Sequence, residues 1–179
     1  MDNIKEKLKI FSEKIKAARS VAIIGHKNLD GDALGSALAL YRLIQMNFGI
    51  APVCMYDGSI PETLSDVPLR SRMRYFGHLN VTEPFDVVIL VDYGTLRHLE
   101  FASSVIQNAG FLIEIDHHKN DEPAGTLCID DDTAAATAEI IYEMMCAADW
   151  DYDDDVLKLL SLGIMTDTGN FKFVHNSRV

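Results

Sequence analysis

Three apolar, β-branched runs punctuate the chain, and each breaks off at a turn residue or an acid. Val21-Ala22-Ile23-Ile24 leads into Gly25-His26, Asp86-Val87-Val88-Ile89-Leu90-Val91 into Asp92, and Phe111-Leu112-Ile113-Glu114-Ile115 into Asp116. From Val87 on the second run is apolar throughout, the pattern of a strand covered on both faces in a parallel sheet. Residues 51–56 and 125–129 are weaker strand candidates, the latter suited to a sheet edge. Between these runs the apolar spacing changes to that of helices, over 33–48, 96–108, 133–147 and 156–164. Residues 1–20 carry Ile4, Leu8, Phe11 and Ile15 at helical spacing and read as an N-terminal helix packed on the domain. Alternating strands and helices predict an α/β fold with a mostly parallel sheet flanked by helices. Residues 61–68 read as a surface loop, and neither a repeat nor a Pro-, Gly- and Ser-rich linker divides the chain.

The length of 179 residues suits one domain, and 48% hydrophobic with 24% charged residues excludes wholesale disorder, a collagen-like chain and a disulfide knot. Lys and Arg number 16 against 27 acids, a net charge of −11. Of those acids 18 are Asp and 9 are Glu, a bias toward caps, turns and metal sites. Such a surface repels long duplex nucleic acid unless bound cations reverse the local sign. Cys54, Cys128 and Cys146 are odd in number and form no CxxC pair, which speaks against a secreted disulfide framework and a zinc ribbon. All three are expected as buried, reduced thiols. No signal-peptide core and no run of about 20 apolar residues is present, so the reading is a soluble, cytoplasmic protein without a membrane partner.

In open α/β sheets ligands collect beyond the carboxyl ends of the strands, and here those ends deliver His26, Asp92 and Asp116. The first cluster, His26-Lys27-Asn28-Leu29-Asp30-Gly31-Asp32, sets an imidazole and two carboxylates on a strand-to-helix turn. That donor mixture suits manganese, iron or zinc rather than calcium. Asp32 can instead simply cap the next helix, but capping explains neither His26 nor Asp30. The small residues Ala33, Gly35, Ser36, Ala37 and Ala39 suit a helix lying close on the sheet, its amino end facing an anion. Asp92 alone is weak, since an Asp at a strand end often forms a turn. Asp116-His117-His118 places an acid before two imidazoles that point in different directions, so one can ligate a metal while the other meets substrate. Leu162-Gly163-Ile164-Met165-Thr166-Asp167-Thr168-Gly169 is an apolar run ending in a carboxylate on a glycine-bearing turn.

Together these four motifs resemble the DHH phosphoesterase family, named for the tripeptide found here at Asp116-His117-His118, and they stand in the family's order from Ala22 to Phe173. The resemblance implies a DHH catalytic domain over residues 21–173 and two divalent ions, manganese first, with magnesium or cobalt as alternatives. It implies that His26 and Asp30 hold one ion, that Asp32, His117 and Asp167 hold the other, and that Asp92 bridges them. His118 is implied at the scissile phosphate and Asp116 behind the imidazoles as the orienting acid. Two such ions about 4 Å apart activate water and stabilise an in-line phosphoryl transition state. Asp30-Gly31-Asp32-Ala33-Leu34-Gly35-Ser36 is similar to the RecJ-like, oligoribonuclease and 3′-phosphoadenosine 5′-phosphate phosphatase branch. The manganese-dependent pyrophosphatases usually carry Thr at the position of Gly31.

The expected function is therefore hydrolysis of phosphate esters in small nucleotides or short oligonucleotides. A dinucleotide or cyclic-dinucleotide phosphodiesterase, an inorganic pyrophosphatase and a non-catalytic nucleotide-binding module follow as alternatives, with a homodimer left open. Leu29 stands where the family often has Pro, and Tyr93-Gly94 replaces the commoner Thr or Cys after the bridging acid. Family members continue into a smaller substrate-binding domain, expected to be absent from this chain, with residues 174–179 beginning the linker. Other signals read as bland. Asp130-Asp131-Asp132 and the acids of 149–155 read as solvated turns capping the helices at Thr133 and Val156. Arg70, Arg72 and Arg74 read as a solvated face, and His78, His98 and His175 as surface or structural residues.

Overall fold

The computed structural model describes residues 2–120 and 123–173. Its strands are β1 (Val21–Ile24), β2 (Val53–Tyr56), β3 (Met73–Tyr75), β4 (Val87–Val91), β5 (Leu112–Asp116) and β6 (Leu127–Asp130). They form one parallel sheet in the order β3-β2-β1-β4-β5-β6. The order reverses at β1, which has β2 on one side and β4 on the other. The crevice beyond the carboxyl ends of β1 and β4 is thus the topological switch point where such folds bind ligands.

Five helices cover the sheet: α1 (Asp2–Ala17), α2 (Gly31–Phe48), α3 (Ser103–Gln107), α4 (Thr137–Ala147) and α5 (Asp154–Asp167). The period-two alternation of strand side chains divides the apolar residues into two cores. Val21, Ile23, Ile89, Val91, Ile113 and Ile115 pack with α1, α2, α4 and α5. Ala22, Ile24, Val88 and Leu90 pack with Tyr93, Leu99, Ala102 and Val105 on the opposite face. α2 and α5 meet closely because glycines face them: a Cβ on Gly35 would stand 2.5 Å from the Leu159 carbonyl oxygen, and one on Gly163 would stand 2.5 Å from Asp32 Oδ1. Among the described residues no helix is long and apolar enough to cross a membrane.

Several elements depart from expectation for identifiable reasons. The helix expected over 96–108 is a 3-10 stretch, Leu96–Ala102, followed by the short α3. Its buried positions Leu99, Ala102 and Val105 recur every three residues, the period of a 3-10 helix. α4 begins at Thr137, not Thr133, because Asp131 folds the chain into a turn first. Its Oδ1 accepts from the N–H and hydroxyl of Thr133, at 2.9 and 2.5 Å, and Ala136 is extended. The acids of 130–132 therefore cap no helix. α5 starts at Asp154, two residues before Val156, with Asp153 as its cap at 3.2 Å from the Val156 N–H.

β3 escaped the sequence reading, being three residues long and centred on the exposed Arg74. The basic trio is not uniformly solvated either: Arg70 is half-buried, and Arg72 lies 6.0 Å from the centre of the Tyr41 ring. The surface loop at 61–68 contains one 3-10 turn that buries Leu64. Of the three thiols only Cys54 is buried, while Cys128 is half-buried and Cys146 exposed. His175 and the linker expected at 174–179 lie outside the described residues.

Candidate metal centre

The carboxyl edge of the sheet gathers residues from five elements. His26 follows β1, Asp92 follows β4, and Asp116 closes β5 with His117 and His118 directly after it. α2 contributes Asp30 and Asp32, and the last residue of α5 is Asp167. The cap of α2 is Asp30, not Asp32, since Asp30 Oδ1 accepts from the Ala33 N–H at 3.0 Å. That correction leaves Asp32 for another task.

Asp92 occupies the middle of the group and is 2% exposed. Its φ of 50° is left-handed, uncommon for a residue other than glycine, and it turns the chain sharply off the end of β4. Its Oδ2 lies 3.9 Å from His26 Nε2, and its Oδ1 lies 3.6 Å from His117 Nε2. The two oxygens thus face two different neighbours. His26 Nε2 also approaches Asp30 Oδ2 at 3.5 Å, and His117 Nε2 approaches Asp167 Oδ2 at 3.4 Å. Ligand-type atoms of His26, Asp30 and Asp92 all lie within 4.8 Å of one another. The same holds for Asp32, His117 and Asp167, and for Asp92, His117 and His118.

Asp32 is fully buried, and its partners come from far along the chain. Oδ2 accepts from the Thr137 N–H at 2.7 Å, and Oδ1 accepts from the Ala138 N–H and the Ser36 hydroxyl, each at 3.0 Å. The first N–H groups of a helix have no partner within it, and α4 has no side-chain cap of its own. Asp32 supplies that cap from 105 residues away. Thr137 in turn donates its hydroxyl to Asp92 Oδ1 at 3.1 Å.

Asp116, 1% exposed, accepts four hydrogen bonds. Oδ2 takes the N–H groups of Tyr93 and Gly94 at 2.9 and 2.8 Å. Oδ1 takes the His118 N–H at 2.9 Å and its ring Nδ1 at 2.7 Å. Burial would raise the Asp116 carboxyl, but His118 and these backbone donors hold it below the usual carboxylate range. The His118 ring, about half exposed, is raised above the ordinary imidazole value chiefly by Asp116.

Charge in the pocket is strongly one-sided. Asp32 is raised by burial and then by the charge on Asp92, and Asp92 by burial and then by Asp30 and Asp116. Burial raises Asp167 as well. Burial would lower His26, but Asp30, the Lys27 carbonyl and Asp92 together lift it to about 9. A pocket that draws protons this way draws divalent cations for the same reason. Its carboxylate and imidazole donors fit manganese or a similar ion. Beside His117 and Asp167 opens a cleft of about 590 Å³ that also touches Thr133, Ala135 and Phe173, a size suited to a small ligand.

Two residues at the site were not anticipated. Thr137 carries no sequence signal, because its role depends on where α4 starts. His98, expected to be bland, has its ring 6.4 Å from that of His26 and its Nδ1 3.0 Å from the Tyr93 carbonyl. The Lys27 N–H donates to its carbonyl oxygen at 3.1 Å.

Residues 20–164 match the DHH family, N-terminal domain, and the chain belongs to that family. It is 32% identical, over 92% of its length, to the probable bifunctional oligoribonuclease and PAP phosphatase NrnA of Streptococcus mutans, covering 51% of that protein. The bifunctional oligoribonuclease and PAP phosphatase NrnA of Thermus thermophilus is 27% identical over 96% of this chain and 51% of its own. A probable manganese-dependent inorganic pyrophosphatase of Staphylococcus aureus is 29% identical over 84% of this chain and 48% of its own. The chain therefore spans about half the length of these curated relatives. Its fold matches a crystal structure of an exopolyphosphatase-related protein from Bacteroides fragilis, with TM-score 0.86 at 24% identity, over 97% of this chain and 53% of that one.

Proposed function

We propose that this domain is the catalytic half of a two-metal phosphoesterase that hydrolyses phosphate esters of small nucleotides or short oligonucleotides, with manganese as the first choice of ion. One observation carries the reading: the two oxygens of Asp92 face His26 and His117 separately, at 3.9 and 3.6 Å. A bridging carboxylate needs that geometry, whereas a turn-forming Asp does not. In this reading His26 and Asp30 hold one cation, while Asp32, His117 and Asp167 hold the other. Bound divalent cations lower the pKa of water and neutralise charge during in-line displacement at phosphorus. Asp116 occupies Nδ1 of His118, so Nε2 is the nitrogen that meets a phosphate or leaving-group oxygen. The hydrogen bonds on Asp32 and the Thr137 hydroxyl on Asp92 hold both acids in place before any ion arrives.

The substrate class is supported by the oligoribonuclease and PAP phosphatase names of two relatives. Gly31 adds a steric argument, because a Cβ there would run into the Thr166 side chain. The Thr usual in pyrophosphatases does not fit this pocket as it stands. Pyrophosphatase remains the second reading, favoured by the Staphylococcus aureus relative. We also propose that residues outside this stretch help to grip the substrate, as the relatives are about twice as long.

The test is an assay of the chain, and of the whole gene product where it runs longer, with Mn²⁺ and four substrates. These are a linear dinucleotide, a cyclic dinucleotide, 3′-phosphoadenosine 5′-phosphate and pyrophosphate. The expected result is release of mononucleotide or phosphate from the first or third, falling more than about 100-fold in Asp92→Ala. Full activity in excess chelator, or in Asp92→Ala, overturns the proposal. Pyrophosphate cleaved faster than any ester establishes the second reading, and preference for the cyclic substrate reassigns the substrate class.

A further inference from the structure

A second convergence of ligand-type side chains lies on the sheet face away from α2 and α5. Ile113 and Ile115 on β5, and Leu127 and Ile129 on β6, point into the larger core. Alternation along the strands therefore sends Glu114, Cys128 and Asp130 to the opposite face. Glu114 and Cys128 are partners across the two strands. A carboxylate oxygen of Glu114, the sulfur of Cys128 and a carboxylate oxygen of Asp130 all lie within 4.8 Å of one another.

The two oxygens of Glu114, a residue 1% exposed, are unequally served. Oε2 accepts from the N–H groups of Ala124 and Gly125, at 2.9 and 2.8 Å, and from the Tyr93 hydroxyl at 2.9 Å. Oε1 is buried and finds no donor outside the cluster; within it only Cys128 and Asp130, while they keep their protons, hydrogen-bond the Glu114 carboxylate. Unsatisfied buried carboxylate oxygens are rare because they forfeit their hydration without replacement. Around it the other groups are strained toward neutrality. Asp130 is pushed up to about 7 by burial, by the charge on Glu114 and by a hydrogen bond to it, and Cys128 up to about 12 by burial, by its hydrogen bond to Glu114 and by that charge. Lys7 acts favourably on both of them. Two things can relieve such a group: a proton shared between the acids, or a cation.

We propose that Glu114, Cys128 and Asp130 bind a borderline divalent cation of the zinc or cobalt type, separate from the centre around Asp92. Thiolate with carboxylate oxygen is a donor set for these ions rather than for calcium or magnesium. Tetrahedral ligands of zinc stand about 3.5 Å apart, so spacings within 4.8 Å close onto an ion with small side-chain movements. On binding, the Cys128 S–H proton passes to buffer as the metal–sulfur bond forms, and no electron is transferred. Three protein ligands leave a position for water. The site is tied to the main centre through Tyr93, whose hydroxyl bonds Glu114 and receives the Asn120 side-chain N–H at 2.7 Å. Tyr93 follows Asp92 directly in the chain.

Cobalt distinguishes this site from the main one, since the ligand-type groups that meet around Asp92 are imidazoles and carboxylates, not thiols. The reduced, metal-stripped protein is titrated with Co²⁺, and the near-ultraviolet thiolate-to-cobalt charge-transfer band is followed. The expected band rises to a plateau set by one thiolate-bound cobalt per chain, disappears in Cys128→Ser and is displaced by Zn²⁺. It weakens about 10-fold in affinity in Asp130→Asn and persists in Cys146→Ser and Asp92→Ala. Zn²⁺ raises the thermal midpoint of the wild type by more than that of a folded Cys128→Ser. Absence of the band, or its survival in Cys128→Ser, overturns the proposal and assigns the cluster to a shared proton, whatever the outcome of the phosphoesterase assay.

Discussion

Asp116 grips His118 twice through one oxygen, at 2.9 Å to its backbone N–H and 2.7 Å to its ring Nδ1. The other oxygen holds the backbone of Tyr93 and Gly94. One buried carboxylate therefore ties the ring of His118 to the turn after Asp92, across the neighbouring strands β4 and β5. In Asp116→Asn an amide NH₂ replaces one acceptor, so either the ring or the turn loses its partner. We expect kcat to fall about 10–100-fold with KM for a small ester little changed. Wild-type kcat in this variant would remove the orienting role.

If Asp92 bridges cations as proposed, it is costly to the empty pocket and useful to the filled one. Burial and the charges of Asp30 and Asp116 raise its pKa, so without cations its ionised form destabilises the fold. Asp92→Asn keeps an oxygen for the Thr137 hydroxyl. In chelator the variant should be the more stable protein, by on the order of 1 kcal/mol. In Mn²⁺ at 100 times its Kd the wild type gains about 2.7 kcal/mol, and the order should reverse. Urea unfolding in the two buffers checks the crossing, and an unchanged order counts against cation binding at Asp92.

Gly163 sets how near α5 comes to the centre. A Cβ there would stand 2.5 Å from Asp32 Oδ1 and 2.6 Å from the Ala138 Cβ. Gly163→Ala should cost about 1–3 kcal/mol of stability and weaken Mn²⁺ binding, because α5 carries Asp167. Denaturant melts and a metal titration read the two effects. A stabilised variant with unchanged affinity would show that the helices can separate freely.

The Arg42–Asp153 pair gives a pH signature away from the centre. Burial would raise Asp153, but Arg42 at 2.7 Å and the cap to the Val156 N–H outweigh it and hold the carboxyl below its ordinary value. A depressed folded-state pKa means stabilisation above the unfolded value of about 3.9, lost as pH falls through the folded one. Asn caps helices about as well as Asp, so Asp153→Asn removes mainly the charge. The side chains are about one-third exposed, so the loss near neutral pH should stay under about 1 kcal/mol. It should vanish in acid below the folded pKa. A loss of equal size at both pH values would assign the effect to packing.

Much of the framework was legible because it is local. β1, β4 and β5 announce themselves as apolar runs, and each leads within two residues to a side chain at the centre. β3 did not, since three residues with an exposed Arg make no run. The stretch after Leu96 was misread because its buried positions follow a period of three. Asp30 and Asp32 both sit at a helix start, and spacing alone does not say which one turns back to cap it.

By itself the sequence determined the α/β alternation, the family and the short list of acids and imidazoles, because strand and helix periods and four local motifs survive in one dimension. Tertiary structure decided which of those groups meet. The register of parallel strands put Asp116 beside the turn after Asp92, and the packing of α4 on α2 turned Asp32 into a cap for residues more than a hundred positions away. It also left one buried oxygen of Glu114 with no donor outside its cluster with Cys128 and Asp130. Distances of that kind depend on close packing between segments remote in the chain, and no local pattern encodes them.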